Sequence, residues 1–425
     1  MPGHDRRGEG FKGLMALVVG PPLGVSVSIF FGAVFLAYGV ILPYFPVWLD
    51  SRGLTPVEIA AITSAPLFAR VAFTPAVGYL ADRIGNYRRV IIVLCWSAIA
   101  LAIALSMLFG FWPLLIIGVA FLLSVGTTLP LIETVAVSAV RTAGLDYGRM
   151  RLWGSVTFIV ANFLGGVVIE ALGGSFGIWM IASTVALTVV AAHLLQGPAP
   201  GEVSPTPPGL NWRSSYPVRL LRERLFVIFL VAIGCIHGAH ATFYTFGALH
   251  WQAQGLSAAW IGALWAISVT AEVVLFAFSA PIVRRFSPAQ LIVAGAAAAI
   301  VRWTMMVFDP PLALLVPLQM LHAFTYGAAH LGAILFITRA VPAAGVGSAQ
   351  ALCAVVAGGV VLGIVGLISG VLYERMQGDV FILPAGVALI GLAAGTALLN
   401  GWGGGLLWPQ EPEDAVSPTA PARAE

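Results

Sequence analysis

Long apolar runs separated by short polar ones set the plan of this chain. Twelve of them, at about 24–48, 56–80, 90–108, 113–140, 150–170, 176–196, 225–250, 258–281, 288–308, 311–339, 348–373 and 380–400, approach or exceed the ~20 residues that a membrane-spanning helix needs. The runs do not alternate residue by residue as barrel strands do. A helix satisfies its own backbone groups in lipid, so it is the spanning element that remains. Pro43, Pro46, Pro66, Pro75 and Pro130 fall inside these runs, and membrane helices tolerate such kinks.

One long polar stretch, 197–224, is rich in Pro and Ser and reads as a flexible linker. It parts the chain into bundles of six helices each, at 24–196 and 225–400. A tail at 1–23 precedes them, and a polar tail at 401–425, mostly disordered by composition, follows. No small-residue cleavage site ends the first apolar run at 14–19, so the N-terminus is expected to be retained. The expected fold is all-α and integral to the membrane, with twelve transmembrane helices in two bundles.

Charge gives this plan an orientation. Arg52 and Arg375 lie in loops on one side, and Arg70 and Arg302 lie inside spans. Every other Lys or Arg falls on the opposite side, in alternate loops and the tails. Positive loops mark the cytoplasm, so both termini are expected there, in a bacterial inner membrane.

The bundles also resemble each other. Gly53-Leu54-Thr55 is answered by Gly255-Leu256-Ser257, Ile59 by Ile261 and Arg83 by Arg285, at one constant offset. Gly166, Glu170 and Gly174 are answered by Gly370, Glu374 and Gly378 at a slightly longer one. Such weak symmetry is that of parallel six-helix repeats. It places Arg70 and Glu272 at equivalent depths of helices 2 and 8.

Composition agrees. Residues are 59% hydrophobic and only 9% charged, against about a quarter charged in soluble domains. The net charge of +3 comes without a basic patch interleaved with aromatics, so no nucleic-acid partner is expected. Cys95, Cys235 and Cys353 lie far apart in apolar runs, where they read as small core hydrophobes with no metal or disulfide framework. No H-E-x-x-H pattern is present, which argues against an integral membrane zinc hydrolase.

Ionisable residues at membrane depth are the candidate chemistry, because they are expensive there and usually functional. Arg70 in helix 2 suits a carboxylate through its planar fork; pairing with an acid such as Glu133 is the structural alternative. Glu133 in helix 4 and Glu272 in helix 8 are natural proton carriers, since the neutral acid is far cheaper to keep out of water; permanent ion pairing is the alternative for each. Arg302 in helix 9 either joins the site or snorkels outward beside Trp303. His237, His240 and Tyr244 share one face of helix 7, and Gln319, His322, Tyr326 and His330 form a stripe on helix 10. These stripes either face a cavity, binding substrate or relaying protons, or pack on backbone partners. Tyr38, Trp265 and Phe276 are candidate ring contacts.

Two motifs give a resemblance. The segment Gly78-Tyr79-Leu80-Ala81-Asp82-Arg83-Ile84-Gly85-Asn86-Tyr87-Arg88-Arg89 resembles the G-x-L-x-D-R-x-G-x-x-R-R loop signature of the major facilitator superfamily. Its glycines permit a tight turn and close helix approach, and Asp82 is placed to pair with arginines or cap a helix when that side shuts. The segment Asp146-Tyr147-Gly148-Arg149-Met150-Arg151-Leu152-Trp153-Gly154-Ser155 resembles the start of helix 5 in the 3-phenylpropionate permease family. Similar blocks recur at Gly238–Tyr244, His250–Gly255, Leu264-Trp265, Ala271-Glu272-Val273, Val301-Arg302-Trp303, Leu321-His322 and His330-Leu331. The helix 8 Glu, helix 9 Arg and helix 10 His also resemble the lactose-permease-like group, although Thr325 stands where that group has an acid.

The resemblance implies proton-coupled uptake of a small aromatic monocarboxylate by alternating access. Arg70, Arg302, His237, His240, Tyr244, Trp265 and Tyr326 are the expected substrate contacts. Glu133, Glu272 and His322 are the expected proton carriers, and Gly78, Asp82, Arg83, Gly85, Arg88 and Arg89 the expected gate. The proton gradient serves as energy source, with no cofactor or metal, and the partners are an organic anion, protons and lipid around a monomer. A sugar or nucleoside symporter, or an exporter, of the same fold is the alternative.

Overall fold

The computed structural model describes residues 21–197 and 216–408. The remaining residues include most of both tails and of the linker expected from sequence, and those readings lie outside the described residues.

Six helices form the first half: α1 (Leu23–Ser51), α2 (Pro56–Ile84), α3 (Tyr87–Met107), α4 (Phe111–Ala143), α5 (Tyr147–Leu172) and α6 (Gly177–Leu194). The second half begins with a short helix, Tyr216–Arg222, inside the stretch expected to be a loose linker. Its Leu220 is fully buried in a cluster that includes Trp408. Then come α7 (Arg224–Ala253, broken between Gly238 and Ala241), α8 (Ala258–Ala277), α9 (Pro288–Met306) and α10 (Leu312–Ala340, with a π turn at Ala323–Ala328). A final apolar stretch, Ala343–Gly401, has 59 residues. As one helix it would be ~90 Å long, about three times the bilayer core. It is instead divided at Gln377, which has φ 51°, and a 3₁₀ turn. The pieces are α11 (Val346–Val355, the π turn Val356–Val361, then Leu362–Met376) and α12 (Ile382–Gly401). Among the described residues, twelve helices thus cross.

Local sequence explains the starts and stops. Thr55 caps α2 in a capping box with Glu58, and Ser287 caps α9 in one with Gln290; each has Pro at the first helical position. Asn86 caps α3, Asp146 caps α5 and Ser257 caps α8. The repeated tripeptides now have a meaning. Gly53 and Gly255 both take left-handed backbone, φ 78° and φ 86°, and turn the chain into the capped helices α2 and α8.

Within the first half, α1 packs on α5 and α6, and α4 on α2 and α3; within the second, α12 packs on α7 and α9. The halves meet where α5 lies on α8, α2 on α11 and α1 on the second part of α7. Call the side of the arginine-rich loops the arginine face. The tightest contacts between halves lie toward the other face. A Cβ on Gly166 would run into the Ala258 carbonyl, and one on Gly370 into Ala60. The Ala259 N–H donates to Glu170 Oε2 across the same seam at 2.9 Å. The molecule is therefore shut on the face opposite the arginines.

Candidate functional site

At mid-depth, between the halves, lies a cavity of about 200 Å³. Phe35 and Leu42 of α1 and Arg151, Ser155 and Phe158 of α5 form one wall. Phe243 and Tyr244 of α7, Trp265, Ser268, Val269 and Glu272 of α8, and His322 and Tyr326 of α10 form the other.

The second wall is organised from behind by Arg302, which is 0% exposed. It does not snorkel: its guanidinium lies 4.5 Å from the Trp303 ring centroid and 5.2 Å from that of Phe243. It donates to His322 Nδ1 at 3.2 Å, to Thr325 Oγ1 at 3.2 Å and to Gln319 Oε1 at 2.5 Å. Ser268 donates to the same Gln319 oxygen. A guanidinium can only donate, so His322 Nδ1 must accept, and the proton of the neutral imidazole sits on Nε2. That nitrogen faces Glu272 Oε2 at 3.3 Å. The buried cation thus reaches its counter-charge through a ring whose tautomer it fixes.

Thr325 extends the network. His240 Nδ1 donates to the Ile236 carbonyl at 3.1 Å, leaving Nε2 to accept from the Thr325 hydroxyl at 3.0 Å. The position at which the lactose-permease-like group has an acid is here a hydroxyl that links Arg302 to His240.

The cation on the first wall is Arg151. Its guanidinium lies 3.8 Å from the Phe35 ring centroid, cation–π distance, and Tyr147 precedes it by one helical turn. Glu133 lies within electrostatic reach of Arg151. Arg70 takes another part. It donates to the Gly358 carbonyl on the π turn of α11, so it ties α2 to α11 across the seam.

Of the residues expected from sequence, Tyr244, Trp265, Glu272, His322 and Tyr326 line the cavity. His240 and Arg302 stand behind it, His237 stacks on Tyr326 at 4.7 Å, and Arg70 and Glu133 are not among the lining residues. Neither Tyr38 nor Phe276 lines it. Arg70 paired with Glu133 gives way in this conformation to Arg70 on a backbone carbonyl. Arg151 was counted from sequence among the loop arginines; it is in fact inside α5, past the Asp146 cap, on the cavity wall. That cap was the signal that could have found it. The aromatic lining by Phe35, Phe158 and Phe243 carries no sequence mark, because apolar rings are equally common facing lipid.

The gate segment is mostly helix rather than loop: Gly78, Asp82 and Arg83 belong to the last turns of α2, and Gly85, at φ 66°, is the stop. The glycines divide their expected duties. Gly85 makes the turn, whereas Gly78 has nothing near the place of a Cβ and so permits no close approach here. Asp82 accepts from the Tyr87 hydroxyl, and Arg88 donates to the His193 carbonyl at 2.9 Å. Arg83 and Arg89 are exposed, and Arg88 is half-buried.

Comparison with known proteins places this architecture. The profile of the "MFS_1 like family" matches residues 25–383. The chain is 32% identical over 363 residues to the "Probable 3-phenylpropionic acid transporter" of Escherichia coli (strain K12), covering 84% of this chain and 92% of that protein. It is 26% identical to the maltose permease of Geobacillus stearothermophilus, over 86% of this chain and 91% of the permease. Among solved structures, the nucleoside transporter NupG superposes with a TM-score of 0.74 at 18% identity, over 89% of this chain and 99% of that one. A bacterial homologue of the human lysosomal transporter Spinster, inward-facing and occupied, gives 0.67 at 13% identity, over 89% and 96%. At such identities these structures speak for the fold alone. The twelve crossings, the cavity between two six-helix halves and the family match converge: the chain belongs to the MFS_1-like family and is a multi-pass secondary transporter of the major facilitator kind, not an enzyme.

Proposed function

We propose that this protein carries a small aromatic monocarboxylate, 3-phenylpropionate or a close analogue, inward together with a proton by alternating access. The observation that carries this reading is the make-up of the cavity wall. Arg151 is the one cation among the lining residues, the Glu272–His322 pair stands on the other wall, and rings of Phe35, Phe158, Phe243, Tyr244, Trp265 and Tyr326 fill the space around them. A guanidinium fork takes both oxygens of a carboxylate, and the rings take an aromatic body.

Electrostatics supply the coupling. With Glu272 ionised, a bound carboxylate would put two negative charges into one small cavity of low dielectric, where their repulsion is strong. A proton on Glu272 removes one of them. The loaded carrier then closes with its proton and returns without either. Arg302 and His322 hold Glu272 in place for both states. Arg70 holds α2 on α11 and releases when the halves rock.

The arginine face is the cytoplasmic one by the distribution of positive loops, with both termini inside a bacterial inner membrane. The proton gradient drives uptake with no cofactor. The cavity is built by one chain, which supports a monomer surrounded by lipid. The 3-phenylpropionic acid transporter relative supports the aromatic acid. A sugar symporter is the second reading, favoured by the maltose permease relative; in it Arg151 would meet hydroxyl groups.

Purified protein in proteoliposomes with a trapped pH dye tests this. Addition of 3-phenylpropionate or benzoate is expected to drive protons with the substrate, while lactose and uridine do not. Proton movement with lactose or uridine alone would favour the second reading. Outward pumping of the aromatic acid against its gradient would make the protein an exporter.

A further inference from the structure

A column of titratable rings leads away from Glu272 toward the arginine face, and the cavity wall accounts for only its first members. His322 and Tyr326 of α10 are stacked at 5.4 Å with planes 15° apart, and Tyr326 and His330 at 5.9 Å with planes 15° apart. Every fourth residue of a regular α-helix drifts around the axis, since a turn holds 3.6 residues. The π turn Ala323–Ala328 lies between His322 and His330 and winds more loosely. It brings the three rings back into one line. From α7, His237 stacks on Tyr326 at 4.7 Å and lies 6.2 Å from His330. Its Nε2 is buried without a hydrogen-bond partner. Exposure grows along the column: His322 is 7% exposed, and His330 is only half-buried.

We infer that His330, aided by His237, is the station through which the proton held by Glu272 leaves for the arginine face. This rests on the proton-coupled reading above and extends it. His322 is a poor exit, because Arg302 donates to its Nδ1 and locks its tautomer. Among the described residues no such cation donates to His330, which lies within electrostatic reach of Glu272 and stands one step further out than Tyr326. The groups around the column are His240 from α7, 5.4 Å from His322 and 6.0 Å from Tyr326, Arg302 from α9 and Glu272 from α8 on His322, with Arg151 from α5, Arg70 from α2 and Cys353 from α11 within electrostatic reach of Tyr326. In the open cavity the O–H bond of Glu272 breaks, a water chain carries the proton along the Tyr326 edge, and an N–H bond forms on the His330 ring. That N–H bond then breaks to return the proton to bulk water. The electron pairs stay on Glu272 oxygen and His330 nitrogen, and no other bond changes.

The test separates net transport, which needs proton release, from counterflow, in which the loaded carrier exchanges substrate without losing its proton. The probe is 3-phenylpropionate in proteoliposomes holding a pH dye. His330→Asn is expected to cut substrate-driven proton flux about tenfold, the effect of roughly 1.4 kcal/mol on a rate-limiting barrier, while counterflow stays within about twofold of wild type. His330→Gln should behave alike, and the His237→Asn/His330→Asn double variant should be slower still. Retained counterflow shows that each variant is folded. Wild-type proton flux in the double variant would overturn the inference and leave proton coupling intact, as would an equal fall in flux and counterflow. Wild-type protein that moves 3-phenylpropionate without protons would overturn both readings.

Discussion

His322 presents its Nε2–H to Glu272 Oε2 at 3.3 Å, while Arg302 holds the ring's other nitrogen. The acid is thereby positioned at the cavity without touching the buried cation. Glu272→Gln keeps the shape and a hydrogen-bond acceptor but removes the titrating oxygen. It is expected to abolish uphill accumulation of 3-phenylpropionate in proteoliposomes under a pH gradient and to spare counterflow. Unchanged uphill uptake would remove Glu272 from the proton path.

Thr325 is fully buried and serves two partners, accepting from Arg302 and donating to His240. Thr325→Val keeps the volume and strands both. Leaving buried polar groups unpaired costs about 1–3 kcal/mol, so a lower unfolding temperature in detergent is expected, whereas Thr325→Ser should stay near wild type. Equal stability of the Val and Ser variants would dismiss the hydroxyl.

Arg151 and Arg70 are expected to part company. Hydrogen bonds to charged groups are worth about 1.5–3 kcal/mol, so Arg151→Gln should weaken 3-phenylpropionate binding roughly tenfold to a hundredfold by calorimetry. The neutral amide of the same acid should bind wild type and variant alike. Arg70→Gln should alter binding less, because its described partner is the Gly358 carbonyl. The reverse order would return the carboxylate to Arg70.

The seam on the face opposite the arginines depends on glycine. Gly166 in α5 meets the Ala258 carbonyl, and its repeat-related Gly370 in α11 meets Ala60 and the Pro56 carbonyl. Gly166→Val adds atoms where backbone already stands, and overpacking costs about 1–3 kcal/mol. It should shift the population toward a state parted on this face. Spin labels at the exposed Leu172 and Trp260 are expected to report a longer distance in the variant; an unaltered distance would mean that the seam tolerates the bulk.

Glu170 is predicted to latch the same seam. It accepts the Ala259 N–H in the first turn of α8, from the other half, where a carboxylate is favoured. Glu170→Ala should open this face as Gly166→Val does, but less far. Glu374, its partner in the repeat, is exposed and among the described residues makes no such bond, so Glu374→Ala should leave the distance as in wild type.

The sequence by itself determined the crossings, their ends and the division into related halves. Apolar run length reports membrane thickness directly, and the caps at Thr55, Asn86, Asp146, Ser257 and Ser287 act on their own next turn. It also placed Glu272, Arg302 and His322 on three different helices as residues too polar to face lipid. Only the tertiary structure decided which way each side chain turned. In a membrane the outside of a helix is as apolar as its packed face, so no hydrophobic stripe tells cavity from lipid. Arg70 and Arg151 show the consequence. The depth of Arg70 along α2 was readable and that of Arg151 was not, and whether each met Gly358 or the cavity depended on how α5 crosses α8 and α2 crosses α11, crossings fixed by close contacts at Gly166 and Gly370 far along the chain.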